Sequence, residues 1–387
     1  MYKEKEVVEM AHKTVLLTGA TGQIGSALAP LLQASGYRIC YLIRPSIEKT
    51  AQMRLAEVLS NLRDGLDIAI SGDVTLPYGG ISDEDLLKWR WDIDMIIHCA
   101  AGISFLEAEA ENTRTVNIEG TRNMLQLAKG IGCEDFHYVS TAYIAGSARI
   151  FSEEDLDVGQ LYLNPYAASK VEAEKLVRAW QGGKFTIHRL STVIGDSYDG
   201  KVMTFHSYYG FFASFWRLLK TWEEKWKTNK ESCLANGVKF HETGDLELPL
   251  FIDCSPTAVL NLTTVDWVAL TMAKLVSIPS DNQTYHVVNP NPPRVRWVIE
   301  VSLKLMGISG IRYDEESQDL SPLLKRIQIG VTRGTNMYRP YVRDGTVFLD
   351  SNLRKALGEE YSPPPVINEK ILALMLTFAK SRNFGLR

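Results

Sequence analysis

Thr14-Val-Leu-Leu-Thr-Gly-Ala-Thr-Gly-Gln-Ile-Gly25 is the stretch whose reading decides the fold of this chain. Val15, Leu16 and Leu17 form a short apolar run suited to a buried parallel strand, and Ser26-Ala-Leu-Ala-Pro-Leu-Leu-Gln-Ala reads as a helix. Between them stand Gly19, Gly22 and Gly25. A strand, a glycine-rich turn and a helix form the context in which such glycines mean dinucleotide binding. Glycine permits the tight turn, the approach of backbone to a pyrophosphate and close packing of helix on strand. The helix N-terminus then offers free N–H groups and a partial positive charge to the phosphate. Thr21, Gln23 and Ile24 join the three glycines as candidate cofactor contacts.

Beyond the first helix, Tyr37-Arg-Ile-Cys-Tyr-Leu-Ile reads as a second strand that ends at Arg44. An NAD-binding unit places Asp or Glu near this point to bond the ribose 2′-hydroxyl. An arginine instead suits a 2′-phosphate through charge-assisted bonds, so NADPH is the expected cofactor. Ile47 to Asn61 reads as helix, and Asp67-Ile-Ala-Ile-Ser-Gly-Asp-Val as a third strand with Asp73 and Val74 at its C-terminal end. A polar helix around Ser82 to Trp89 precedes the strand Asp94-Met-Ile-Ile-His-Cys-Ala-Ala. Ala100, Ala101 and Gly102 are small enough for a cofactor to pass, and His98 inside the apolar run reads as a core histidine. Asn117 to Lys129 reads as helix, Phe136-His-Tyr-Val-Ser-Thr-Ala-Tyr as a fifth strand and Phe185-Thr-Ile-His-Arg-Leu-Ser as a sixth.

Strands alternating with helices predict an α/β fold, a doubly wound parallel sheet. The expected Rossmann domain covers 12–200 with returning segments 256–290, and a smaller, mainly helical substrate lobe covers 201–255 and 291–387. Met203 to Trp222 is dense in aromatics, which predicts core or lobe-interface packing. Leu260-Asn-Leu-Thr-Thr-Val-Asp-Trp-Val-Ala is expected to begin a helix capped by Asp266, and Thr284 to Asn289 to form one more core strand.

Composition narrows the function classes. The chain has 387 residues, 45% hydrophobic and 23% charged, with a net charge of −4, so nothing polybasic points to nucleic acid. Its five cysteines form no CxxC pair, which disfavours a zinc site or a disulfide framework, and no metal is expected. No run approaches the ~20 apolar residues of a membrane helix, and Met1 to Lys13 lacks the apolar core of a signal peptide. A cytoplasmic protein is the expectation.

The second informative constellation is Asn164-Pro-Tyr-Ala-Ala-Ser-Lys170. Asn164 suits a helix cap and Pro165 the first helical position. Tyr166 and Lys170 are four apart and share a helical face. A tyrosine near pKa 10 is a poor base at neutral pH, and a lysine cation close by favours its ionised form. Thr141, ending the fifth strand, suits a hydrogen bond to a substrate carbonyl.

With the glycine turn, this set resembles the extended short-chain dehydrogenase/reductase family from about Thr14 to Asn289. The resemblance implies that Tyr166 exchanges a proton with a carbonyl or alkoxide oxygen as hydride passes to or from nicotinamide. It also implies that Lys170 holds the nicotinamide ribose and lowers the tyrosine pKa, and that Thr141 polarises the substrate oxygen. In that reading Asp73 bonds the adenine, Ser191 and Thr192 meet the nicotinamide end, and Val74, Ala100, Ala101 and Asn117 complete the cofactor set. His98-Cys-Ala-Ala, Val139-Ser-Thr-Ala-Tyr-Ile-Ala-Gly and Asn261-Leu-Thr-Thr-Val-Asp-Trp-Val-Ala look like the thioester-reductase and fatty-acyl-reductase (male-sterility-type) branch. That branch uses NADPH to reduce an acyl thioester, on CoA or a carrier protein, to an aldehyde or an alcohol. Ser191 departs from the proline common there. Ala142 and Tyr143 stand where sugar-nucleotide dehydratases carry an Asp-Glu pair, which argues against dehydration. A nucleotide-sugar epimerase or keto-sugar reductase needs only the same triad and stands as the alternative. The resemblance also implies a homodimer paired through the Tyr166 helix and its neighbour.

Overall fold

The computed structural model describes residues 13–386 except 91, 243, 314–319 and 344; the outer limits 12 and 387 of the expected domains lie outside the described residues. Seven strands form one sheet: β1 (Thr14–Thr18), β2 (Arg38–Ile43), β3 (Asp67–Ser71), β4 (Met95–His98), β5 (Asp135–Thr141), β6 (Lys184–Leu190) and β7 (Gln283–Val287). Their order is β7-β6-β5-β4-β1-β2-β3, and every pairing is parallel. The order reverses between β1 and β4, and an open α/β sheet binds its ligand at such a switch point, beyond the C-terminal strand ends. β1 is buried along its whole length, as expected for a central strand covered on both faces.

Five helices matter for the site: α1 (Gln23–Ala34), α2 (Pro165–Arg178), α3 (Tyr208–Thr228), α4 (Val265–Val276) and α5 (Val295–Leu305). α2 begins as the sequence predicts. The Asn164 side chain accepts a 2.8 Å bond from the Ala167 N–H, and Pro165 takes the first position. Its C-terminal half is pinned from within. Glu174 receives Nε and Nη2 of Arg189 at 3.1 and 2.8 Å and the Ser140 hydroxyl at 2.5 Å, all buried. One carboxylate therefore ties α2 to β5 by a hydrogen bond and to β6 by an ion pair. A buried pair costs desolvation, but removing one partner leaves a lone buried charge, so the fit holds the helix in place.

One apolar cluster lies on each face of the sheet, and a third fills the helical lobe, running from Ile194 to Phe384. The aromatic stretch is the front of α3, with Tyr209, Phe212 and Phe215 within 1% of full burial.

Two local expectations are corrected. Leu260 to Ala269 is not one helix: Leu262–Thr264 is a short strand paired with Thr192–Ile194, and α4 starts only at Val265. Asp266 lies inside the first turn and accepts the Ser197 N–H and hydroxyl at 2.9 and 2.6 Å, tying α4 to the loop after Thr192–Ile194 instead of capping it. The helix read from Ile47 to Asn61 is confined to Ala51–Ala56, capped by Thr50.

Candidate active site

The glycine turn is built for an anion. Gly19 holds φ +72°, and a Cβ there would sit 2.6 Å from the Ala100 nitrogen and 2.7 Å from the Cys99 carbonyl carbon. A Cβ on Gly25 would meet the Gly19 oxygen at 2.4 Å. Both are backbone contacts, so nothing larger than glycine fits. Gly22 is the N-cap of α1, no side chain caps it and no acidic residue stands in its first turn. The helix N-terminus is thus left to an outside partner, and a pyrophosphate fits it. The Thr18 hydroxyl fixes the turn against β4 by accepting the Ala100 N–H (3.1 Å) and bonding His98 Nδ1 (2.8 Å). Burial drops the His98 pKa to about 3, so this core histidine stays neutral.

At the far end of the switch point, Arg44 lies 3.8 Å from Asp73, its side chain 64% exposed. Arg54 donates its guanidinium to the Arg44 carbonyl, bringing a second cation to the corner. Asp73 is shaped by its own turn, accepting the Thr75 N–H and hydroxyl at 2.9 Å each, and the Val74 carbonyl accepts from Asn123. Asn117 is buried, with its amide bonded to both backbone groups of Gly102 and to the Ser169 hydroxyl. It holds the loop after β4 against α2, a positioning task by contact.

A cleft of about 200 Å³ opens between the sheet ends and the lobe. Gln23, Ile24 and Ala101 line it from the turn side, Thr141, Ser191 and Thr192 from the strand ends, and Tyr166 from α2. The Thr141 hydroxyl donates to the Leu190 carbonyl (3.2 Å) and accepts the Tyr143 N–H (3.2 Å). The Ser191 hydroxyl bonds that of Thr263 at 2.9 Å. Lys170 lies behind this wall: 1% exposed, it donates to the Val139 carbonyl at 2.6 Å with its ammonium 4.1 Å from the Tyr138 ring.

Burial pushes the Tyr166 phenol above its ordinary value. Burial brings Lys170 down to about 7, opposed by the Glu174 carboxylate. A folded-state value near 7 lies below the unfolded 10.5, so between those limits the unfolded chain holds the extra proton. Stability from this group therefore rises with pH through that window, by up to about 1.4 kcal/mol per pH unit. Urea denaturation between pH 7 and 9 is expected to show wild type gaining on Lys170→Met, and parallel profiles would remove the effect.

Among the lining residues that escaped the sequence reading as site residues are Phe105, Tyr143, Tyr338 and Tyr341. Phe105 stacks on Tyr341 at 5.8 Å and lies 6.3 Å from Tyr166, and Tyr341 accepts a 2.6 Å bond from Asn164, the cap of α2. Among the described residues lining the cleft there is no Asp, Glu, Lys or Arg. No group of His, Cys, Asp and Glu among the described residues is placed to hold a metal. No helix among them is long and apolar enough to cross a membrane.

Residues 17–272 match the family model described as male sterility protein, an NAD-binding domain. The chain belongs to this family. It is 31% identical over 198 residues to a hybrid PKS-NRPS synthetase of Xenoacremonium sinensis, covering 48% of this chain and 5% of the synthetase. It is 36% identical over 146 residues to human fatty acyl-CoA reductase 1, covering 34% of this chain and 28% of that protein. The terminal R domain of the myxalamid PKS-NRPS pathway superposes with a TM-score of 0.73 at 27% identity, covering 97% of this chain and 92% of the domain. The chain thus matches only a small part of the length of these curated relatives, and nearly all of the solved domain.

Proposed function

We propose that the protein is an NADPH-dependent reductase of acyl thioesters, presented on CoA or on a carrier protein and released as aldehyde or alcohol. The observation that carries this reading is the cleft itself, where Tyr166 and Thr141 face the glycine turn across a space free of charged side chains. The dinucleotide, when bound on the uncapped end of α1, supplies the hydride. Tyr166 donates its phenolic proton to the thioester oxygen, and Thr141 exchanges its bond to Leu190 for one to the same oxygen. The resulting hemithioacetal loses its thiol to leave an aldehyde. Reduction asks for an acid where sugar epimerisation begins with a base, and a phenol at neutral pH is in the acid form. Relatives named as a fatty acyl-CoA reductase and as an R domain support the same reaction class.

NADPH is preferred in this reading because two guanidiniums, Arg44 and Arg54, share the corner with one carboxylate, Asp73. Arg44→Glu is expected to raise the KM for NADPH by about ten- to a hundredfold, the worth of a charge-assisted bond, and to improve NADH. An unchanged preference would take Arg44 away from the 2′-phosphate. The reaction itself is tested by NADPH oxidation with a panel of acyl-CoA and carrier-bound thioesters, with products trapped. Free thiol plus aldehyde or alcohol is the expected result, whereas tight NADPH binding without reduction of any thioester overturns the assignment.

A further inference from the structure

The lobe side of the cleft is a continuous wall of rings. Tyr166 leads to Phe105, Phe105 to Tyr338 at 6.0 Å, and Tyr338 to Phe211 of α3 at 5.9 Å. From α5 come Val295, Val298 and Ile299, all buried. The tyrosine hydroxyls here are largely committed elsewhere. Tyr143 donates to the Asn261 carbonyl (3.3 Å), Tyr341 takes the Asn164 amide, and Tyr208 bonds Ser302 at 3.0 Å. The imidazole in the lining, His206, is disfavoured from charging by burial. In a neighbouring cavity that shares Phe211 and Val342, Asp253 pairs with Arg339 at 3.0 Å and with Arg343 at 3.4 Å, so these charges hold one another outside the cleft lining.

We infer that this half of the cleft selects an uncharged, apolar acyl group, alkyl or aryl, and rejects one that carries a carboxylate or an ammonium. The inference rests on the thioester-reductase reading for what the acyl group is attached to. A carboxylate entering here gives up its water and finds no cation, and an ammonium finds no acid, so both lose far more than a methyl group does. Flat rings fit between ring faces and edges, and an alkyl chain buries area against α5. A quaternary ammonium is the charged group that aromatic rings alone can hold. Here the rings share the lining with the aliphatic side chains of Val295, Val298 and Ile299, which favours the neutral chain.

Unreactive amide analogues of acyl-pantetheine separate binding from turnover. Hexanoyl, phenylacetyl, succinyl, 6-aminohexanoyl and trimethylglycyl amides are titrated calorimetrically into the full chain saturated with NADP+. The hexanoyl and phenylacetyl amides are expected to bind at least about a hundredfold tighter than the three charged ones, given the uncompensated charge. Equal affinities, tighter binding of any charged amide, or no binding by the neutral pair each overturn the inference. Reduction of the matching thioesters is measured in parallel. Tight neutral binding with no thioester reduced refutes the reductase reading and leaves the selectivity of the wall intact.

Discussion

Tyr166→Phe is expected to lower reductive turnover by about 10²–10⁴-fold, the usual contribution of a positioned acid, with dinucleotide affinity nearly unchanged. The size follows from what else could give the proton. The Thr141 hydroxyl, a far weaker acid than a phenol, lends the substrate oxygen a hydrogen bond and keeps its proton, and Ser140 donates to Glu174. Lys170 is held on the Val139 carbonyl behind the wall. Removing one oxygen leaves the ring tilted beside Phe105, so the shape of the cleft survives. Single-turnover NADPH oxidation gives the rate, and quenching of protein fluorescence gives the affinity. Undiminished turnover would remove Tyr166 from proton transfer, and a parallel loss of NADPH binding would make its part structural.

Gly19→Ala is expected to destabilise the protein and abolish dinucleotide binding together. Two penalties act at one atom. The backbone sits at φ +72°, where an L side chain costs about 1–3 kcal/mol. The new methyl also lies 2.6 Å from the Ala100 nitrogen, and forcing it in costs about another 1–3 kcal/mol. Because both neighbours are backbone, relief means pushing β1 away from β4 at the switch point. Gly22→Ala is the sharp contrast: φ is −97° and its Cβ meets only the Gly19 oxygen at 3.3 Å. Thermal unfolding should separate the two, with Gly22→Ala close to wild type. Equal melting temperatures for both variants would refute the strain argument.

The sheet was legible because its signals are local. A run such as Val15-Leu-Leu, followed at once by glycines, carries strand, turn and helix within a dozen residues. Asn164 and Pro165 declare a helix start in two positions, and the cap bond is there. Reading failed where distant chain decides. Leu262–Thr264 has no strand signal beyond two β-branched residues, and it extends because Thr192–Ile194 lies alongside. Asp266 resembled a cap because it precedes an apolar helical run, yet Ser197, far away in sequence, claims its carboxylate. Phe105, Tyr338 and Tyr341 come from three separate segments whose rings meet only after folding, so no spacing announces them. Tyr166 and Lys170 share a helical face, and that Lys170 reaches inward to a strand carbonyl is decided by β5, which their spacing does not announce.

The edge strand β7 has a consequence for how the chain is made. All five of its residues pair with β6, from Gln283 beside Thr186 to Val287 beside Leu190. Glu153 reaches across to the same region, accepting the N–H groups of His286, Asn352 and Leu353. On the ribosome β6 emerges long before either partner, and at about 5–20 residues per second the stretch from Ser191 to Asn282 takes several seconds to follow. During that interval a nascent sheet of six strands presents a bare ladder of N–H and C=O groups, beside a glutamate still waiting for its three donors. Such an edge is a template for pairing with another chain. The protein is therefore most exposed to misassembly while it is being born, and a chaperone that shields β6 for those seconds would protect its yield without touching its final stability.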